Sequence, residues 1–268
     1  MLDVLQFDFM QNALAAGLLA SLICGIIGSL VVVNRIVFIS GGIAHASYGG
    51  VGLAFFLGLP VLPVTTAFTL AAALVMAAVT LHARERADTV IGVLWAAGMA
   101  LGIILLDITP GYNVDLMSYL FGSILAVPQG DLWGMAILAC IIIGLIIAFY
   151  RGFLVMSFDE EFARSRGVPV DFLYFLLIAM VGLSVVMIIR VVGLILVIAL
   201  LTIPPFMAER RTTSLGTMMA VASVLSAFFT VSGLLFSYYA DITSGAAIIA
   251  VATTCFFFSL LLPGKKMA

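Results

Sequence analysis

A chain of 268 residues that is 65% hydrophobic and only 9% charged has too little polar surface for a water-soluble globule, in which about a quarter of residues are charged. It reads as an integral membrane protein, and its net charge of −2 says little until the charges are placed. Cys24, Cys140 and Cys255 each sit inside an apolar run with no CxxC pair, which excludes a cysteine ligand cluster and reads them as small hydrophobes.

A cleavable leader needs a basic start, and the first basic residue is Arg35; the first apolar run is therefore expected to remain as a membrane helix. Broken at its charges, the chain gives uncharged runs at 9–34, 36–83, 89–106, 132–150, 172–189, 191–208, 212–240 and 242–264. A helical span needs roughly 20 apolar residues. The run 36–83 is punctuated by Gly58, Pro60 and Pro63 and reads as two crossings, making nine apolar segments. Segments 172–189 and 191–208 are joined with almost no loop, which leaves eight or nine crossings open. The run 116–130 ends in Pro128-Gln129-Gly130 and reads as an interfacial or re-entrant piece. The expected fold is an all-α polytopic membrane protein of eight to nine helices.

Basic residues mark the cytoplasmic side. With the amino terminus outside and nine crossings, ten of the eleven Lys and Arg residues fall inside, and Arg190 alone is misplaced. The carboxyl terminus is then cytoplasmic. The same assignment puts Asp3, Asp8, Asp107, Asp115, Asp131 and Asp241 outside, a field that concentrates cations, although each aspartate singly also suits a helix end.

In GGIAHASYGGVGLAF, from residue 41, His45 shares a helical face with Gly41, Gly42, Tyr48, Gly49 and Gly52, by the three-, four- and seven-residue spacing. Small residues let helix backbones approach, so the glycines are candidate packing positions and His45 turns toward protein. Ionisable groups within spans mark ion paths, and imidazole is a common metal ligand. Spacing alone leaves a metal ligand and a structural histidine bonded to a nearby carbonyl equally open. His82, beside Arg84 at a helix end, reads as solvated or interfacial. The proline pair Pro204-Pro205 interrupts the backbone ladder of its segment and is a candidate kink, moving or static.

The charged stretch 151–172 holds Asp159-Glu160-Glu161-Phe162-Ala163-Arg164-Ser165-Arg166-Gly167. Acids first and bases last suit a helix dipole, and Gly167 followed by Pro169 is a stop signal. A short helix outside the bilayer is predicted, with a plain solvated loop as the alternative. The chain has no phosphate-binding loop, HExxH pattern or Gly-x-Ser-x-Gly elbow, so neither an internal ATPase nor a hydrolase is indicated and no catalytic residue is assigned.

Glu161-x-Ala163-x-x-x-Gly167 resembles the coupling loop of ABC-importer permeases. GGIAHASYGGVGLAF, VDLMSYLFGSIL, SFDEEFARSRGV, RVVGLILVIALLTIPPFMA and SYYADITSGAAI are similar, in order, to segments of the permeases of zinc, manganese and iron ABC importers. The resemblance implies a single transmembrane permease domain over 1–268, with its coupling loop at about 151–171, in a bacterial-type inner membrane. It implies a homodimer in membrane lipid, a partner ABC ATPase and an extracytoplasmic metal-binding protein, and no nucleic acid. No cofactor is held permanently; the cargo is a divalent Zn, Mn or Fe ion. By the resemblance, His45 is the pathway histidine, and Asp159, Glu160, Glu161, Ala163, Arg164 and Gly167 engage the ATPase. The family commonly places an aspartate where this chain has Gly41. The missing oxygen could come from Asp107 or Asp115, or from water and carbonyls around His45, or the cargo is not a simple hydrated ion. The rival readings are a permease for a chelated-metal or cobalamin-type cargo, an intramembrane metal-dependent enzyme and an ATP-independent carrier.

Overall fold

The computed structural model describes residues 7–82, 86–110, 122 and 124–261. Among them the chain is helical: α1 Asp8–Val33, α2 Val37–Leu57, α3 Val61–His82, α4 Ala87–Asp107, α5 Gln129–Phe158, α6 Glu160–Ser165, α7 Val170–Val192, α8 Leu194–Glu209, α9 Leu215–Ala240 and α10 Ser244–Leu261, with a 3-10 turn at Ile124–Ala126. In lipid every backbone polar group needs a partner, which a helix supplies within itself. Seven of these helices are long and apolar enough to cross a membrane. Of the other two apolar ones, α8 has 16 residues, and α2, 21 residues long, is diluted by its glycines and His45.

The punctuation at Gly58 and Pro60 separates α2 from α3 as expected. Gly58 caps α2 in the left-handed conformation, and Pro63 sits in the first turn of α3, where its missing N–H costs nothing. One boundary differs from the sequence expectation. Arg151 does not end its helix: α5 continues to Phe158, so the segment outside the long helices is confined to about 159–169. Of the run 116–130, the short turn at Ile124–Ala126 is described, and Ile124 is fully buried; most of the Leu-Phe-Gly stretch lies outside the described residues.

The chain divides into two compact units, residues 1–34, 117–150 and 187–268, and residues 35–116 and 151–186. In the first, α1 packs along α9 and α8. The hydrophobic effect does not drive helices together in lipid; close packing and hydrogen bonds do. A methyl on Gly25 would lie 2.4 Å from the Ser223 backbone nitrogen, and the Ser21 and Thr230 hydroxyls meet at 3.1 Å. Helix α8 runs unbroken through Pro204 and Pro205, both buried. Pro205 has no N–H for the Leu201 carbonyl one turn back, and a Cβ on Gly28 of α1 would lie 2.6 Å from that oxygen. Arg190, the basic residue that fits the charge rule badly, pairs with Asp131 at 3.2 Å.

The second unit is built on α2 against α4 and α3, with α7 up to Val186 alongside; a Cβ on its Gly182 would lie 3.3 Å from the Ala73 side chain of α3. It carries both His45 and α6.

Candidate functional site

The glycines around His45 are the contact surface between α2 and α4. A Cβ on Gly52 would lie 2.4 Å from the Gly102 carbonyl oxygen, one on Gly49 2.9 Å from that of Gly98, and one on Gly42 2.6 Å from the Ile91 side chain. Gly98 and Gly102, one turn apart on α4, complete the small-residue seam. Gly41 is different. It is buried, yet a Cβ there would meet nothing within 4 Å, so an open space lies one turn from His45.

His45 is half-buried, and its ring lies on the indole of Trp95, centroids 4.1 Å apart and planes within 16°. Phe38 lies tilted against the same indole, ring centroids 6.1 Å apart, and Trp95 Nε1 donates to the Met99 sulfur at 3.2 Å. The Nδ1 of His45 is buried with no hydrogen-bond partner. A buried polar atom without a partner costs about 1–3 kcal/mol and calls for a reason. His82 shows the ordinary solution: its Nδ1 donates to the Ala78 carbonyl of its own helix at 2.7 Å.

Asp107 ends α4 and is exposed. It lies twelve residues beyond Trp95, roughly 18 Å along the helix axis, so the structure does not bring it to His45. Asp115 lies outside the described residues. Among the described residues no three His, Cys, Asp or Glu side chains gather closely enough to hold a metal ion.

The second feature is α6. Asp159 caps its start, its carboxylate accepting from the Phe162 N–H at 2.9 Å. At its end the Gly167 N–H bonds the Arg164 carbonyl and the Val168 N–H the Ala163 carbonyl, with Gly167 at φ +76°. This paired pattern around a left-handed glycine is the Schellman stop. Arg164 bonds Asp171 and Glu160, and these partners raise its pKa above the usual arginine value. The two apolar residues of α6 part ways: Ala163 is fully buried, while Phe162 is 48% exposed beneath the Arg166 guanidinium. Glu161 is exposed. A hollow of about 350 Å³ beside α6 is lined by Arg164, Pro169, Asp171 and Phe172.

Trp95, and α4 as the partner of the His45 face, escaped the sequence reading. The available signal was Gly98-x-x-x-Gly102, two glycines about one turn apart, as Gly49 and Gly52 are on α2; which helix meets which is a tertiary fact that spacing within one helix does not encode.

The model of the ABC 3 transport family matches residues 6–263, nearly the whole chain. An uncharacterised membrane protein of Synechocystis sp. is 50% identical over 97% of this chain and 92% of its own. The manganese transport system membrane protein MntC of Listeria monocytogenes is 36% identical over 98% of this chain and 94% of its own. The solved PsaBC of Streptococcus pneumoniae in complex with Fab superposes with a TM-score of 0.87 at 32% identity, covering 98% of this chain and 95% of that one. With a family model spanning both the His45 helix and α6, this chain belongs to the ABC 3 transport family.

Proposed function

We propose that the chain is the membrane permease of an ATP-driven importer of a divalent transition metal, working as a homodimer with an ATPase below and a metal-binding protein above. The name of the MntC relative supports metal as cargo and favours manganese over zinc. The observation that carries the metal reading is the buried Nδ1 of His45, left without a protein partner in a helix whose serines bond their own carbonyls, Ser40 at 2.8 Å and Ser47 at 2.6 Å. A neutral imidazole is a good ligand for such ions. In this reading His45 contacts the ion in transit, and the space beside Gly41 holds water that remains on it. Neither Asp107 nor a family-type aspartate contributes, so binding is loose, which suits an ion that must leave again.

ATP coupling is supported by α6. It is too short to persist alone, yet it is capped at both ends and presents Phe162, Glu161 and the charged Arg164 cluster outward. A rigid knob of this kind transmits a push from an ATPase groove. We place α6 and the carboxyl terminus in the cytoplasm, in line with the distribution of basic residues. The chain itself performs no catalysis.

The test is metal uptake in cells expressing the chain with its ATPase and metal-binding protein. Histidine 45 changed to alanine should reduce uptake at least tenfold with the assembled complex still recovered from the membrane. Undiminished uptake by His45→Ala would return His45 to a packing role.

A further inference from the structure

We propose that Trp95 is a positioning residue for the His45 imidazole, ring stacking taking over the orienting task that a hydrogen bond performs in most metal-binding histidines. The inference rests on the reading of His45 as the pathway ligand.

A histidine that binds metal through one ring nitrogen almost always donates from the other to a carboxylate, carbonyl or water, which fixes the ring. No described protein group bonds either nitrogen of the His45 ring, including the buried Nδ1 read here as the ligand, and the neighbours at Gly41, Gly42, Gly49 and Gly52 have no side chains to wedge the ring in place. The ring is nevertheless held, because it lies flat on Trp95 at 4.1 Å and 16°. An imidazole coordinates through lone pairs in its own plane. Stacking therefore covers a face that a metal does not use and leaves the edge that it does. The indole is itself fixed on two sides, by Phe38 and by its Nε1 bond to Met99. Behind it, the contact of Gly49 with Gly98 sets the separation of α2 and α4, so the seam fixes how far Trp95 stands from His45. Stacked aromatic pairs contribute about as much as a neutral hydrogen bond, enough to hold a ring but weak enough to let it tilt when helices move.

The experiment measures ATP-driven Mn²⁺ uptake against Mn²⁺ concentration, using the full complex with its ATPase and metal-binding protein in proteoliposomes. The variants are Trp95→Ala, Trp95→Phe, His45→Ala and the Trp95→Ala/His45→Ala pair, each normalised to assembled complex. Losing an orienting partner typically weakens metal binding 10–100-fold, so Trp95→Ala should raise the half-saturating Mn²⁺ concentration by roughly tenfold. Trp95→Phe, which keeps a ring, should recover most of that, and the pair should be no worse than His45→Ala alone. A Trp95 that merely packed helices would lower the amount of complex and leave half-saturation where it was. If His45→Ala shifts half-saturation and Trp95→Ala does not, the positioning role is wrong while the pathway role of His45 survives. If His45→Ala shifts nothing, both fall.

Discussion

Gly52 has no room for a methyl group, and Gly41, three turns earlier on the same helix, does. On Gly52 the new carbon would lie 2.4 Å from a backbone oxygen of α4, which rigid backbone cannot absorb. Gly52→Ala should therefore destabilise the purified protein by about 1–3 kcal/mol, the usual range for overpacking. Gly41→Ala meets nothing within 4 Å and removes a glycine from a helix interior, so it should stabilise by about 0.5–1 kcal/mol. Thermal melting in detergent checks both: opposite signs are expected, and equal losses would mean that the space beside Gly41 is not open. The sequence places all four glycines on one face with His45. It does not distinguish the three that touch α4 from the one that touches nothing, because that depends on where the partner helix ends its contact. The same limit hid Trp95, which is far from His45 in the chain and adjacent only once α2 and α4 lie side by side.

At the scale of elements, the long helices were legible because charges and prolines bound them, and α6 because its capping chemistry is local. Asp159, Gly167 and Pro169 sit within a dozen residues of one another, and each signal needs nothing from the rest of the fold. Two things were not legible. Helix α5 runs past Arg151 to Phe158, because a charge at a helix end need not stop the helix, only leave the apolar layer. Arg190 looked misplaced because the charge rule counts side chains singly, whereas here it pairs with Asp131. Cap energies set the predictions at this scale. Asp159→Ala removes an N-cap worth about 1 kcal/mol, and Gly167→Ala forces an alanine into a left-handed conformation at about 1–2 kcal/mol. Together they should fray α6, with faster backbone hydrogen exchange over 159–168 and unchanged exchange in α5 and α7. Exchange that accelerates throughout the molecule would show that α6 is not an independent element. The Arg190–Asp131 pair is half-exposed on the arginine side, so a double-mutant cycle should return a coupling of less than about 1 kcal/mol, and exchanging the two residues should restore what either single change removes.

For the whole molecule, the class was legible from composition and the family from five segments in order, and a family model over residues 6–263 agrees. Partner assembly and cargo are properties of a larger machine, and the chain carries only its side of each contact. On the proposed function, work enters at α6 and the ion passes along the His45 face. It follows that changes at the two places should fail differently: Glu161→Lys should uncouple ATP hydrolysis from uptake with half-saturation by metal unaltered, whereas His45→Ala should alter the metal response. The most direct measurement is Mn²⁺ uptake by proteoliposomes holding the permease with or without its ATPase, in the presence of ATP or of an imposed proton or sodium gradient. Uptake should require both ATPase and ATP and should vanish with Glu161→Lys in a folded complex. Uptake by the permease alone, driven by an ion gradient, would contradict the account.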